Sequence, residues 1–151
     1  MLRFKINEEF KIGVFKIEEG LVERFNRAIS YPKTLKPQIE NLNSKNGVSN
    51  IQLPTFLMTL GWGKFLDMYT TLLPSPGVHG GSEFEYYQQS KIGDVLSITG
   101  KLISTKNRIG KRAGKMYLDR FEFYYTDQLS VLVAKSRMTF IRYSAEEAAI
   151  G

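Results

Sequence analysis

The chain has no cysteine and only one histidine, His79. The first absence excludes disulfides, thiol catalysis and cysteine-based zinc sites. With no histidine cluster either, no set of ligands stands at metal spacing, and neither a structural nor a catalytic metal is expected. Long apolar runs are also missing. No window approaches the roughly 20 apolar residues that span a bilayer. The opening MLRFKINEEFKIG carries Lys5, Glu8, Glu9 and Lys11 where a signal peptide needs an unbroken apolar stretch. The expectation is a cytoplasmic protein with no membrane association. A Walker-type glycine loop is absent too.

What is present describes one globular domain. The chain has 151 residues, 42% of them hydrophobic and 24% charged, which supplies one substantial core and is short for two. A single domain over residues 1–151 is therefore expected. The formal net charge of +6 favours an anionic partner such as a phosphate-bearing group or an acidic protein surface.

The pattern changes along the chain. FKIGVFKI (10–17) has the mixture of a strand, and EEGLVERFNRAIS (18–30) places Leu21, Val22, Phe25, Ala28 and Ile29 on one face of a helix with Glu23, Arg24 and Arg27 opposite. Residues 31–52 hold two prolines and few apolar anchors, and read as an irregular flap or linker. LPTFLMTLGWGKFLDMYTTLL (53–73) reads as one nearly all-apolar helix opened by Pro54. Gly61 and Gly63 each weaken such a helix by about 1 kcal/mol relative to alanine, so they imply close approach of sheet backbone or ligand. After a turn in PSPGVHGG, strands are predicted at 82–90, 95–107, 115–126 and 130–142, with Gly100 a bend or bulge and a frayed tail at 144–151. In the third strand Tyr117, Asp119, Phe121, Phe123 and Tyr125 share one face. The links are too short for crossover helices, so neighbouring strands should be antiparallel. The fold class is α+β: a long antiparallel sheet wrapped around one apolar helix, the hot-dog arrangement.

The ordered set FNRAIS (25–30), LPTF (53–56), GVHGGSEFEYYQQSKIGDVLSITGKL (77–102) and LSVLVAKSRMTFIR (129–142) resembles the N-terminal, FAS1-like dehydratase domain of the MaoC-type hydratases and dehydratases. The resemblance implies reversible hydration of an enoyl thioester. Active members of the wider family carry a closely spaced aspartate and histidine just after the first helix. The matching AISYPKTLKP (28–37) has neither. Tyr31, Lys33 and Lys36 do not replace the pair, because side chains with a pKa of about 10 keep their protons at neutral pH. The resemblance therefore implies the half of a paired enzyme that shapes the acyl tunnel, its catalytic aspartate and histidine supplied by a MaoC-like partner in a heterodimer or dimer of heterodimers. No cofactor is expected to be bound; the substrate should arrive on coenzyme A or acyl carrier protein.

The resemblance implies an acyl or pantetheine path along Thr55, Phe56, Gly61, Trp62 and Gly63, where the plain reading makes Phe56 core and Thr55 a partial cap. Thioester contact falls to His79, Gly80 and Gly81, which are otherwise a turn or interface element; His79 is a weak catalytic candidate because no orienting carboxylate is evident. Phosphate or carrier-protein contact falls to Lys106, Arg108, Lys111, Arg112 and Lys115. Gly93 and Asp94 read as a turn. Three alternatives stand beside this reading: a noncatalytic acyl-CoA or lipid-binding module, a hot-dog thioesterase, and nucleic-acid binding on basic strands with Tyr117, Phe121 and Phe123 as a stacking platform. No compact nucleic-acid motif is present, which makes the last of these the weakest.

Overall fold

The computed structural model describes residues 4–29, 54–72, 77–111 and 114–143. The stretch 31–52, the tail 144–151 and Arg112 lie outside the described residues. The elements are β1 (Glu9–Lys16), α1 (Glu19–Ala28), a 3-10 helix (Pro54–Thr59), α2 (Trp62–Leu72), β2 (Gly77–Tyr86), β3 (Val95–Gly110), β4 (Gly114–Thr126) and β5 (Leu132–Tyr143). They form one antiparallel sheet in the order β1-β3-β4-β5-β2. The chain leaves β1 at one edge, passes through the helices and returns as β2 at the other edge. The three consecutive hairpin strands lie between them. This is the hot-dog arrangement expected from the sequence.

Strict alternation along β3, β4 and β5 supplies the concave face. Leu96, Ile98 and Leu102, Phe121, Phe123 and Tyr125, and Ala134, Met138 and Phe140 are all buried in one core with Phe56, Leu57, Phe65 and Tyr69. Phe65 lies edge-on to Phe121 and Phe123, with ring centroids 5.2 and 4.9 Å away. Burial of Phe121 and Phe123 removes the stacking platform that a nucleic-acid reading requires.

The segment 53–73 is not one continuous helix, and it is not buried all round. A 3-10 turn runs from Pro54 to Thr59, and the chain breaks at Gly61, whose φ of +74° L side chains rarely adopt. A Cβ there would stand 2.9 Å from Ile12 Cγ2, against β1. Only Phe65 and Tyr69 of α2 are fully buried, while Lys64, Asp67 and Thr70 face water. Two further expectations change. The bulge in β3 lies between Leu102 and Ser104, not at Gly100. Gly100 instead sits in regular pairing where the Phe10 ring fills the space of a side chain, 2.7 Å from an ideal Cβ. And β3 runs past its expected end at 107 to Gly110, so Arg108 stands with Lys106 on a two-stranded arm.

One buried carboxylate ties α2 to the sheet. Asp119 is fully buried and accepts hydrogen bonds from Tyr69 Oη (3.0 Å), Thr105 Oγ1 (2.9 Å), Arg142 Nε (2.7 Å) and Arg142 Nη2 (3.2 Å). Burial, then the neighbouring Asp119 charge, pushes the Tyr69 phenol well above its ordinary range. Four accepted bonds fill the acceptor capacity of a carboxylate. Asp119 is thus a structural clamp with no lone pair left for a substrate.

The convex face carries the opposite chemistry. Glu122 receives Lys135 Nζ (2.8 Å), Arg137 Nε (2.9 Å) and Tyr124 Oη (2.6 Å), and Arg137 also reaches Glu85 at 3.1 Å. Partial burial raises the Glu122 carboxyl, but these three donors outweigh it and hold the group at about 2. Because the folded value is depressed, the contribution is complete above the ordinary value of 4.5 and is lost as pH falls toward about 2. Arg137 reaches solvent, so screening leaves a net effect of about 1 kcal/mol. Urea unfolding should show Glu122→Gln less stable than wild type by that amount at pH 7. The gap should close as the pH drops through this window; a gap independent of pH would refute the assignment.

Candidate functional site

A strand displays alternate residues on one face, so positions 79 and 82 would ordinarily point to opposite sides. In β2 they do not. The register shifts between His79 and Gly81, so that His79 stands opposite Phe140 and Ser82 opposite Met138. Both partners are core residues. The single extra residue is Gly80, and bulges of this kind re-aim side chains. A Cβ on Gly80 would press to 3.2 Å from Ile141 Cδ1 and from the Thr139 carbonyl oxygen.

The outcome is a contact between His79 Nε2 and Ser82 Oγ at 2.7 Å on the concave side of an edge strand. Ser82 Oγ is also 3.9 Å from Met58 Sδ on the 3-10 helix. The imidazole packs at steep angles against Trp62 and Phe140, each with its ring centroid 5.7 Å away. Trp62 in turn stacks on Phe140 at 5.8 Å. Both His79 and Ser82 are exposed. Among the described residues no carboxylate contacts the imidazole. His79 and its glycines lie within strand β2, not in a turn before it.

The remaining candidates distribute unevenly. Trp62 joins His79, which brings together the path and thioester groups that the resemblance implies. Thr55 is exposed; Phe56 is buried, edge-on to Phe25 at 5.7 Å. Gly63 is exposed with nothing within 4 Å of an added Cβ. Among the described residues, a void of about 10 Å3 lies beside Gly61 and Trp62, lined by Met58, Phe65, Phe123, Tyr125 and Met138 among others. Lys106, Arg108 and Lys111 are exposed on the β3–β4 arm, and Lys115 lies over the Tyr117 ring at 5.4 Å. Asp94 closes its turn by accepting from the Lys91 amide at 2.8 Å. Ser82 is the residue that sequence reasoning misses. The only signal for it is the glycine pair inside a strand-like run, which marks a bulge without giving its register.

Residues 5–136 match the family described as FAS1-like, dehydratase domain region. The chain belongs to that family. Its fold is shared with the 3R-hydroxyacyl-ACP dehydratase complex HadBC from Mycobacterium tuberculosis (TM-score 0.72, 17% identity, 93% of this chain and 99% of that one). It is shared also with a MaoC-like dehydratase (TM-score 0.75, 16% identity), where it covers 93% of this chain but 43% of the other. The ChsH1-ChsH2 complex from Mycobacterium tuberculosis is similar as well (TM-score 0.66, 9% identity, 91% and 83% covered). No protein of curated function matches the sequence. Within the matched residues His79 and Gly80 lie at the β2 bulge, and Pro54–Thr59 form the 3-10 helix whose Met58 Sδ is 3.9 Å from Ser82 Oγ.

Proposed function

We propose that this chain is the tunnel-shaping subunit of a two-chain, MaoC-like enoyl-thioester hydratase or 3-hydroxyacyl-thioester dehydratase. Its catalytic aspartate and histidine would come from a partner subunit. One observation carries the proposal: the chain's only histidine stands on β2 against a serine, with no carboxylate in contact among the described residues. Hydration needs an acid and a base placed together, and this site offers no such pair.

Four further observations support it. Two of the similar structures, HadBC and ChsH1-ChsH2, are complexes. Among the described residues there is almost no space beside Gly61 and Trp62, as expected if the passage forms only when a second chain is added. Strand β2 is an edge of the sheet and is exposed at every residue but Phe84. A ten-residue edge of this kind is a template for a partner strand. The exposed cations of the β3–β4 arm suit the phosphates of coenzyme A or the acidic surface of a carrier protein, since HadBC acts on ACP-linked substrate.

Native mass spectrometry of the gently purified complex, paired with an enoyl-CoA hydration assay, tests the proposal. The expected result is a second hot-dog chain in the complex, with hydration by the pair and none by this chain alone. Hydration by this chain alone, or inactivity of the correctly paired complex, would sink it.

A further inference from the structure

We propose that Ser82 and His79 form an acyl-accepting pair that takes the acyl group of a thioester onto Ser82, an activity separate from hydration and independent of the partner subunit. It rests on the thioester reading above only for the class of donor.

The geometry is that of a nucleophile hydrogen-bonded to its base. Ser82 Oγ and His79 Nε2 are 2.7 Å apart, within the range over which an imidazole removes a hydroxyl proton. The pair exists because of the Gly80 bulge; without it, the two side chains would lie on opposite faces of the sheet. The imidazole packs against the stacked Trp62 and Phe140 rings on one side, which restricts its rotation where a triad would use an acid. Both groups are open to solvent, and Gly80 and Gly81 present no side chain to block approach.

The step balances without any further reagent. Ser82 Oγ attacks the thioester carbonyl carbon, and its proton passes to His79 Nε2. The tetrahedral adduct collapses with cleavage of the C–S bond, and the departing thiolate takes the proton from Nε2. The products are an acyl ester on Ser82 and a free thiol; water then releases the acid. With no carboxylate on the imidazole among the described residues, release should be slow and the acyl-enzyme should accumulate.

The whole chain is incubated with butyryl-CoA, and thiol release is followed alongside intact and peptide mass. The absence of cysteine removes any thiol background. The expected result is one acyl group on the peptide containing Ser82. Ser82→Ala should abolish both adduct and thiol release, and His79→Gln should slow acylation about 10²–10⁴-fold. Both side chains are exposed, and far-ultraviolet circular dichroism confirms that the variants fold. Thiol release by Ser82→Ala at the wild-type rate, or an adduct elsewhere, overturns the proposal, as does no acylation of the wild type. Acylation by the free chain with an inactive paired complex would sink the hydratase reading alone; hydration by the pair without acylation would sink this one alone.

Discussion

Asp119→Asn should lower the stability of the chain by about 3–5 kcal/mol, the cost of breaking a buried ion pair from one side. The carboxylate is the acceptor for Tyr69, Thr105 and both bonds from Arg142. An amide of the same size keeps one oxygen, turns two hydrogens toward groups that include the donor-only Arg142, and leaves the Arg142 charge without a counter-ion. A guanidinium keeps its proton in proteins, so the arginine does not escape by deprotonating. Heat denaturation should show a midpoint about 10 °C lower, since each kcal/mol moves a domain of this size by a few degrees. Urea unfolding should show a lower midpoint at unchanged slope. Replacing the pair together, with Asp119→Leu and Arg142→Met, should recover most of the loss, because neither charge is then stranded. A single Asp119→Asn variant within about 1 kcal/mol of wild type would show that the network contributes no more than an exposed pair does.

The same network shows where a sequence ceases to be readable. Alternation places Asp119 on the face of Phe121 and Phe123, and the structure agrees. The partners are another matter: Thr105 stands opposite Asp119 only because of the bulge between Leu102 and Ser104, and Tyr69 arrives from a helix 50 residues away. Bulge positions and helix rotation leave no periodic trace. The break at Gly61 escapes for a related reason. A glycine in an apolar run lowers helix propensity wherever it stands, but only its contact with Ile12 of β1 makes a positive φ necessary. In β2 the glycine pair and the prolines before it mimic a turn, while pairing with β5 starts already at Gly77. The fold is legible because periodicity averages over many residues. The His79–Ser82 contact is not, because it depends on one inserted residue.

Phe65→Ala should be about as costly, at 3–5 kcal/mol, but by a different mechanism and with a consequence for the site. The Phe65 ring touches those of Trp62 (6.2 Å between centroids), Tyr69 (5.8 Å), Phe121 (5.2 Å), Phe123 (4.9 Å) and Phe140 (5.3 Å). Its removal merges a ring-sized hole with the void of about 10 Å3 beside Gly61 and Trp62. The lining is mostly apolar, so the enlarged cavity offers water few hydrogen-bond partners. A small aromatic such as benzene should therefore raise the thermal midpoint of Phe65→Ala and leave that of the wild type unchanged. Phe140 and Trp62 both lean on Phe65 and both pack against His79. Loosening them should reduce acylation of Ser82 in the empty variant, and filling the cavity should restore it. Recovery of the midpoint without recovery of acylation would mean that the imidazole is held by its own strand, not by the core beneath it.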